Sequence, residues 1–430
     1  MSDPNNPNIK ARSSPQWALY QRENFWKTNE GHVPLFNTDP GKLEDLAREK
    51  LTQGGWYYAS SNAGVSWTHL ANRQAFYRHR IIPRMLVDTN VRDTSTTLFG
   101  HKVAAPIGFA PIGINKIYHP LGELPVAKVA QELNLPYCLS TAGSTSIEDV
   151  AKANGTGPRF YQLYMPHDDE LTLSLLERAW TNGFDACILT LDTWQLGWRH
   201  DDVSTGNYAF YRGIGADLGL TDPVFQKRLA VAGVDPKKDP EKAGAMWIDS
   251  VWHGRAWSWE KMPWLMEQWK RISRGRPFCL KGIQSVADAK KAVELGVDGI
   301  VVSNHAGRQV DGAIASLDAL EKIVDAIMFD SGVRTGADVF KALALGAKFV
   351  FVGRMWIWGL SIMGEHGVRH VMKSLLGDFD ILLGVGGFRS VAEIRKEDLV
   401  WNNVGMARLL TSFAEILPNT SSLMATKSKL

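Results

Sequence analysis

The sequence predicts an α/β protein, a (β/α)8 TIM barrel with an N-terminal helical cap and a long loop after strand 4. Short β-rich runs and helical patterns alternate from about residue 105 to the C-terminal region, giving eight strand–helix units over roughly 270 residues. Most of the strand runs are continuously apolar, as expected of strands that are covered on both faces. No G-x-G-x-x-G sequence follows a strand and opens a helix, which disfavours a doubly wound dinucleotide-binding sheet.

The predicted strands and helices follow one another in a regular order. The strand runs are 105–111, 137–140, 159–164, 186–192, 277–282, 299–304, 327–332 and 348–353. The helical runs are 122–134, 146–154, 169–183, 285–296, 315–326, 337–346 and a last one that reaches about residue 376. No turn separates residue 326 from the seventh strand, so either that helix ends early or part of the barrel wall is missing.

The sequence divides into four segments. We expect a mobile tail at 1–35, a cap at 36–104, the barrel at 105–400 and a C-terminal tail at 401–430. The connection 204–262 spans 59 residues, where two to six are usual for a βα loop. It carries Trp247, Trp252, Trp257 and Trp259. Because βα loops form the catalytic face of such barrels, this insertion is a candidate lid, with a surface loop or a subunit contact as the alternative.

Composition excludes several classes of protein. The chain has 430 residues and a net charge of +3, which argues against nucleic acid or an acidic membrane as a partner. No apolar run approaches the length of a membrane span. The three cysteines are too few for a disulfide framework, which indicates a reducing compartment. The sequence ends in Ser428, Lys429 and Leu430, a tripeptide that the peroxisomal import receptor reads, so we expect a peroxisomal location, with the cytoplasm as the alternative.

Polar residues at the ends of successive strands predict a catalytic site. His305, after strand 6, is a histidine placed to act as a base, and Arg308 lies three residues on. Asp192, at the end of strand 4, can orient and support the imidazolium. The loops after strands 7 and 8 contain Gly332, Arg334, Gly353 and Arg354, in the usual phosphate-binding position of these barrels. Placement therefore predicts a phosphate-bearing cofactor. No metal is expected, because no third ligand with motif spacing accompanies His366 and His370, which lie four apart on a helical segment.

Several separate motifs resemble one family. SNHAGRQVDG (303–312), DSGVRTGADVFKALALGA (330–347), YYAS (57–60) and LTLDTWQLGWR (189–199) are similar to motifs of the FMN-dependent L-2-hydroxy acid oxidases and dehydrogenases. The similarity runs from roughly residue 36 to the C-terminal region and is interrupted by the long loop. Within the family, that loop, the DSG motif and Gly113 most resemble the lactate 2-monooxygenase branch.

This resemblance implies a role for each matching position, with FMN as the cofactor. His305 matches the catalytic base and Asp192 its partner. The positions that match substrate-binding residues are Tyr57, Tyr164, Arg199 and Arg308. The positions that match FMN-binding residues are Pro111, Ile112, Gly113, Ser140, Gln162, Thr190, Lys281, Ser303, Asp330, Ser331, Gly332, Arg334, Gly353 and Arg354. The implied partners are a small 2-hydroxy acid and oxygen, and the family suggests a homo-oligomer of four or more subunits.

Three departures from the family pattern bear on function. Ala306 replaces a common glycine, and we expect this to be tolerated if φ is negative there. Ala142 stands where glycolate oxidases carry tryptophan, which leaves the substrate's length open. Gly113 replaces an alanine of many oxidases, and we expect loss of that methyl group to change the space there. The sequence thus favours oxygen-dependent oxidation of L-lactate of the monooxygenase type. The alternatives are a peroxisomal oxidase that releases hydrogen peroxide and an inactive barrel that acts as a scaffold.

Overall fold

Residues 10–323 and 328–401 are described by the computed structural model, in which four helices and three short strands precede the barrel. These elements are α1 (Leu19–Asn29), α2 (Pro40–Lys50), α3 (Gln53–Ser60), α4 (Trp67–Arg78), β1 (His79–Ile81), β2 (Thr96–Leu98) and β3 (His101–Val103). Strands β2 and β3 form an antiparallel hairpin. Helix α2 begins where the Asp39 side chain accepts hydrogen bonds from two backbone N–H groups and Pro40 occupies the first turn.

The segment before residue 36 is structured over much of its described part, contrary to the predicted mobile tail. Arg12 forms a buried ion pair with Asp380, and Asp380 also pairs with Arg92 from the cap. Helix α1 follows and its Tyr20 hydroxyl lies 2.6 Å from Nδ1 of His370. A polar, proline-rich composition failed to reveal this because the segment is fixed by individual polar contacts rather than by an apolar face.

Eight parallel strands close into the barrel, which confirms the predicted (β/α)8 fold. The strands are β4 (Ile107–Phe109), β5 (Tyr137–Ser140), β6 (Arg159–Leu163), β7 (Cys187–Thr190), β8 (Phe278–Ile283), β9 (Gly299–Val302), β10 (Met328–Phe329) and β11 (Phe349–Val352). Pairing runs in chain order from β4 to β11, and β11 closes on β4. Side chains including Phe160, Ile188 and Phe351 fill one buried cluster, so the barrel interior is a packed core.

Helices surround the barrel and extend past its ends. Between strands lie α5 (Leu124–Glu132), α6 (Ile147–Asn154), α7 (Asp169–Thr181), α8 (His200–Ser204), α9 (Asp217–Leu220), α10 (Pro223–Val231), α11 (Pro240–Val251), α12 (Met262–Ser273), α13 (Val286–Glu294), α14 (Ser316–Lys322) and α15 (Gly336–Ala344). The last helix is α16 (Arg354–Gly386), and β12 (Leu399–Trp401) then pairs with β1. Helix α16 is longer than predicted and packs on α2, which joins the cap to the barrel.

The helix predicted at 315–326 ends early, as one of the two expected alternatives requires. Helix α14 stops at Lys322, and β10 begins at Met328 and pairs with both β9 and β11. Strand β10 has two residues, fewer than the predicted run 327–332. The barrel wall is therefore continuous at the seventh strand. Residues 324–327 lie outside the described part of the chain.

The insertion after β7 is largely helical rather than an irregular loop. Helices α9, α10 and α11 lie within it, and the Asp222 side chain caps α10 just before Pro223. Trp247 is fully buried against Phe225. Trp252 is also buried and packs against Tyr164 of the barrel, with ring centroids 5.0 Å apart. The tryptophans at 247 and 252 thus form the core of the insertion and its contact with the barrel.

Two further properties concern the described ranges alone. None of the helices within 10–323 and 328–401 is long and apolar enough to cross a membrane. Those same residues include no group of three or more histidine, cysteine or carboxylate side chains arranged to hold a metal ion. The terminal tripeptide Ser428, Lys429 and Leu430 lies outside the described residues.

Candidate active site

The carboxyl ends of the barrel strands surround one cavity, and most of the residues predicted for the site line it. These are Pro111, Ile112, Gly113, Ser140, Tyr164, Lys281, His305, Arg308, Asp330, Ser331, Gly332, Arg334, Gly353 and Arg354. The remaining predicted residues lie outside this lining: Tyr57, Gln162, Thr190, Asp192, Arg199 and Ser303. Tyr57 is the exception among these six, because the other five are hydrogen-bonded to lining residues, ion-paired with them or buried beside them.

His305 and Asp192 form a hydrogen-bonded pair at one side of the cavity. Nδ1 of His305 lies 2.7 Å from Oδ1 of Asp192, and the Thr193 hydroxyl donates to the same carboxylate oxygen at 2.7 Å. Burial would raise the pKa of Asp192, but the neighbouring His305 and Lys281 hold it well below its ordinary value. Burial lowers the pKa of His305, and Asp192 opposes that effect. The imidazole is thus oriented through Nδ1, which leaves Nε2 to exchange a proton.

A turn in the left-handed region of backbone conformation places His305. The φ angles of His305, Ala306 and Gly307 are +55°, +56° and +77°. A negative φ at Ala306, the condition under which replacement of glycine was expected to be tolerated, is therefore not met. Ser331, also left-handed at +87°, accepts a 2.9 Å hydrogen bond from the Ala306 N–H and donates to Asp330. Strain of this kind persists only where neighbouring contacts enforce it, and here the loop after β10 holds the turn after β9.

Arg308 and Arg199 are two neighbouring cations that have no carboxylate partner in the described part of the chain. Arg199 is 3% exposed, and it donates to the Arg308 backbone carbonyl and to Gln309. Arg308 donates to the carbonyl of Ser61 and lies 5.1 Å from the ring centroid of Tyr58. Burial and Arg308 lower the pKa of Arg199 to about 10. Within the described ranges no carboxylate forms an ion pair with either guanidinium, so this part of the cavity attracts an anion.

A second group of cations lies at the loops after β10 and β11. Arg354 donates to the Ala59 carbonyl and to Asn62, and it forms no ion pair with a carboxylate of the described chain. Burial, then Arg308, lowers the pKa of Arg354 to about 9. Arg334 lies 3.4 Å from Glu44. Gly332 has φ +89°, which favours glycine and leaves its backbone uncovered by a Cβ. This arrangement suits a phosphate group.

Lys281 connects the strand ends at the base of the cavity. Its Nζ lies 3.1 Å from the Ser303 hydroxyl and 3.4 Å from a carboxylate oxygen of Asp330. Burial would lower the pKa of Lys281, but Asp330 and Asp192 raise it overall. The ammonium group is consequently charged and held in place, and it can stabilise negative charge that develops on a bound ring.

Two buried polar atoms at the ends of β6 and β7 have no hydrogen-bond partner among the described residues. Gln162 accepts from the Ser140 hydroxyl at 2.9 Å, but its Nε2 is buried and unpaired within the described residues. The hydroxyl oxygen of Thr190 is also buried and unpaired within the described residues. Leaving buried polar atoms unsatisfied is costly, so native proteins rarely do so without a ligand or water. A bound polar ligand could therefore pair with these atoms and with Lys281.

Tyr58, rather than Tyr57, belongs to the cavity. The Tyr57 hydroxyl accepts a hydrogen bond from Gln53, one turn earlier on α3, whereas Tyr58 lines the cavity beside Arg308. Successive residues of a helix point about 100° apart, so only one of the pair can face the site. The YYAS motif located the element but did not decide between its two tyrosines.

Other lining residues were missed by reading strand ends. Tyr118 is buried in the 3₁₀ turn after β4 and lines the cavity, and His69 reaches it from α4 in the cap. Tyr118 lies nine residues beyond the end of β4 and His69 belongs to the cap, so neither is at a strand end, and no motif singles them out.

Gly113 allows a close approach of two loops instead of opening space. A Cβ at this position would lie 2.5 Å from the Cβ of Ala142 and 2.6 Å from its carbonyl oxygen. The space that an alanine methyl group would take at this position is therefore occupied by the Ala142 loop. Ala142 itself lines the cavity, as the sequence predicts for a small residue there.

Several known proteins are similar to this chain in sequence and in structure. The sequence profile of the FMN-dependent dehydrogenases matches residues 47–402. An FMN-dependent alpha-hydroxy acid dehydrogenase from Penicillium citrinum is 45% identical over 376 residues, which cover 86% of this chain and 92% of the relative. L-lactate oxidase from Lysinibacillus sphaericus is 39% identical over 84% of this chain and 92% of its own. A solved mandelate oxidase with benzoyl-formic acid has a TM-score of 0.72 and 32% identity, over 85% of this chain and 99% of that one.

Proposed function

The chain belongs to the FMN-dependent dehydrogenase family, and on that premise we propose that it oxidises an L-2-hydroxy acid, with L-lactate the first candidate and oxygen the electron acceptor. The observation that carries the proposal is the set of three guanidiniums, Arg199, Arg308 and Arg354, without carboxylate partners in the described chain. Buried cations need anions nearby, and a substrate carboxylate and a cofactor phosphate supply them.

The residues present fit FMN. Arg334 and Arg354, with Gly332 and Gly353, would hold the phosphate, since they line one end of the cavity. The unpaired Nε2 of Gln162, with Ser140, Thr190, Ser303 and Lys281, would hold the ring. Pro111 and Ile112 line the cavity beside Gly113, and Asp330 and Ser331 line it beside Gly332. When bound, FMN supplies the acceptor for the two electrons that leave the substrate.

The protein side chains would bind and deprotonate the substrate. Arg308 would bind the substrate's carboxylate through the planar fork of the guanidinium, and the neighbouring Arg199 would add positive charge. Tyr58 and Tyr164 would contact the substrate from the same cavity. Nε2 of His305 would take the proton, and Asp192 would stabilise the imidazolium that results. Fixing the substrate in this way makes the reaction effectively unimolecular.

For the fate of oxygen we propose the monooxygenase type, in which L-lactate and oxygen give acetate, carbon dioxide and water. The support is the helical insertion 204–262, whose Trp252 packs on Tyr164 at the edge of the cavity and can slow departure of the 2-oxo acid. The alternative is an oxidase that releases pyruvate and hydrogen peroxide. The terminal Ser428, Lys429 and Leu430, and the oxidase relatives, favour this alternative.

Aerobic turnover with product analysis tests the proposal. Purified protein is supplied with L-lactate, glycolate or L-mandelate, with D-lactate as the control, and acetate, 2-oxo acid, peroxide and oxygen are quantified. We expect acetate from L-lactate with little free peroxide. Stoichiometric peroxide and pyruvate would establish the oxidase alternative. Absence of turnover with every acid, although FMN is bound, would contradict an enzymatic role and favour a scaffold.

Location and assembly follow as further parts of the proposal. We propose import into the peroxisome through the receptor that reads Ser428, Lys429 and Leu430, and a homo-oligomer of four or more subunits as the family suggests. Removal of the last three residues should leave a fluorescently tagged protein in the cytoplasm. A peroxisomal pattern that survives this truncation would exclude the tripeptide as the address.

A further inference from the structure

His69 lies at the phosphate end of the cavity but belongs to the cap. It is in the first turn of α4, and it lines the cavity together with Arg73, Arg334 and Arg354. A Cβ on Gly307 would lie 2.6 Å from the backbone nitrogen of His69, so the two backbones approach closely here. The turn after β9 therefore packs against α4 at this residue.

Cations face His69 from three elements. Nη1 of Arg354, at the start of α16, lies 3.4 Å from Nδ1 of His69. Arg73, one helical turn on in α4, pairs with Asp338 of α15 at 2.9 Å. Arg334, in the loop after β10, is 3.4 Å from Glu44 of α2. The turn after β9 presents backbone, with Ala306 hydrogen-bonded to the imidazole.

The positive charges at this end exceed the negative ones. Asp338 and Glu44 oppose Arg73 and Arg334, and Arg354 remains without a carboxylate among the described residues. Burial and the three guanidiniums lower the pKa of His69 to about 3. The imidazole is therefore neutral at physiological pH while no anion is near it.

We propose that His69 is a phosphate-binding residue that takes up a proton from solvent as the FMN phosphate enters, so that FMN binding is coupled to protonation. This inference rests on the proposed function, since it requires FMN in this cavity. Atoms and charge balance simply: one solvent proton goes to the imidazole, and no covalent bond of the cofactor changes. The imidazolium then donates a charge-assisted hydrogen bond to the phosphate.

The electrostatic effect of a nearby phosphate is large enough to cause this proton uptake. A unit charge at about 4 Å changes an ionisation equilibrium by roughly a thousandfold when the effective dielectric constant is about 20. A phosphate of charge close to −2 thus offsets the guanidiniums and raises the pKa of His69 in the complex. Because that pKa is higher in the complex than without FMN, protonation tightens binding as pH falls and is lost as pH rises through the pKa of the complex.

The rate at which the holoprotein loses FMN tests the inference. Wild type, His69→Gln and the control His366→Gln are diluted between pH 5.5 and 8.5, and the fluorescence of released flavin is followed. His366 is exposed on α16 and does not line the cavity. We expect His69→Gln to lose FMN about 10- to 100-fold faster than wild type at low pH, as for loss of a charge-assisted bond, and the two rates to converge at high pH.

The ratio of the two rates isolates His69. The FMN phosphate itself titrates near pH 6, but it does so in both proteins and cancels in the ratio. A ratio that is the same at every pH, or within twofold of one throughout, would overturn the inference. His69→Asn supplies a second neutral variant if glutamine disturbs the cap. If the protein turns over an L-2-hydroxy acid but the ratio of the two release rates does not change with pH, only this inference is contradicted. If the protein never binds FMN, the proposed function is contradicted as well.

Discussion

Replacing Asp192 by asparagine removes the charge behind His305 while preserving the size of the side chain. The carboxylate lies 2.7 Å from Nδ1 of His305 and is buried, so water screens the pair little. Charge centres about 4 Å apart interact by about 4 kcal/mol at an effective dielectric constant of about 20. If the proton is half transferred in the transition state, kcat falls roughly 30-fold, and if transfer is complete it falls roughly 1,000-fold.

Asp192→Asn also has a predicted effect on pH dependence. Asp192 raises the pKa of His305, and burial lowers it below its ordinary value of 6.5. The neutral imidazole is the active base, so removing the carboxylate moves the acid limb of kcat/KM to lower pH while the maximum falls. Steady-state kinetics across pH 4.5–8 measure both effects. Thr193→Val, which removes a hydroxyl but keeps the charge, should lose less than tenfold.

A kcat within twofold of wild type in Asp192→Asn, or an acid limb that stays in place, would refute this reasoning. FMN content is measured in each variant, because a fall in kcat with lost cofactor would report damage to the fold instead.

Three other substitutions probe the site. Arg308→Lys should cost about 1–3 kcal/mol in kcat/KM with FMN content unchanged, since a point charge cannot replace the planar fork; an unaltered kcat/KM contradicts the assignment. Ala306→Gly should raise the melting temperature, because relief of a left-handed alanine, about 1–2 kcal/mol, exceeds the added chain entropy, and calorimetry showing a lower value would disprove it. Gly113→Ala should destabilise the protein by about 1–3 kcal/mol and reduce FMN content, since its methyl group meets Ala142; wild-type stability would show that the loops separate freely.

The fold was predictable because its signals are local and repeated. Eight apolar strand runs alternate with seven helical runs, and this alternation predicts a closed barrel without knowledge of any contact. The insertion was misread as a loop, although Asp222-Pro223 and Asp239-Pro240 are helix-start signals that its sequence contains. Residues 10–35 were misread because ion pairs such as Arg12–Asp380 join positions that no local pattern connects.

The part of the site that lies at strand ends was predictable from the sequence. His305, Asp192 and Lys281 come together because parallel strands bring their carboxyl ends to one face. His69 and Tyr118 were not predicted, since the cap and a turn carry them there. The positive φ of Ala306 and the filled space beside Gly113 depend on contacts with Ser331 and Ala142, which sequence reading does not supply.

Anaerobic mixing of the holoprotein with L-lactate tests the central claim most directly. Absorbance of bound FMN near its visible maximum is followed in wild type and in His305→Asn, each with one FMN per chain. We predict rapid bleaching of wild type by L-lactate and not by D-lactate, and bleaching slowed by ~10²–10⁴-fold in His305→Asn with its flavin retained. Bleaching of His305→Asn at the wild-type rate, or a wild type that no L-2-hydroxy acid bleaches, would contradict the account.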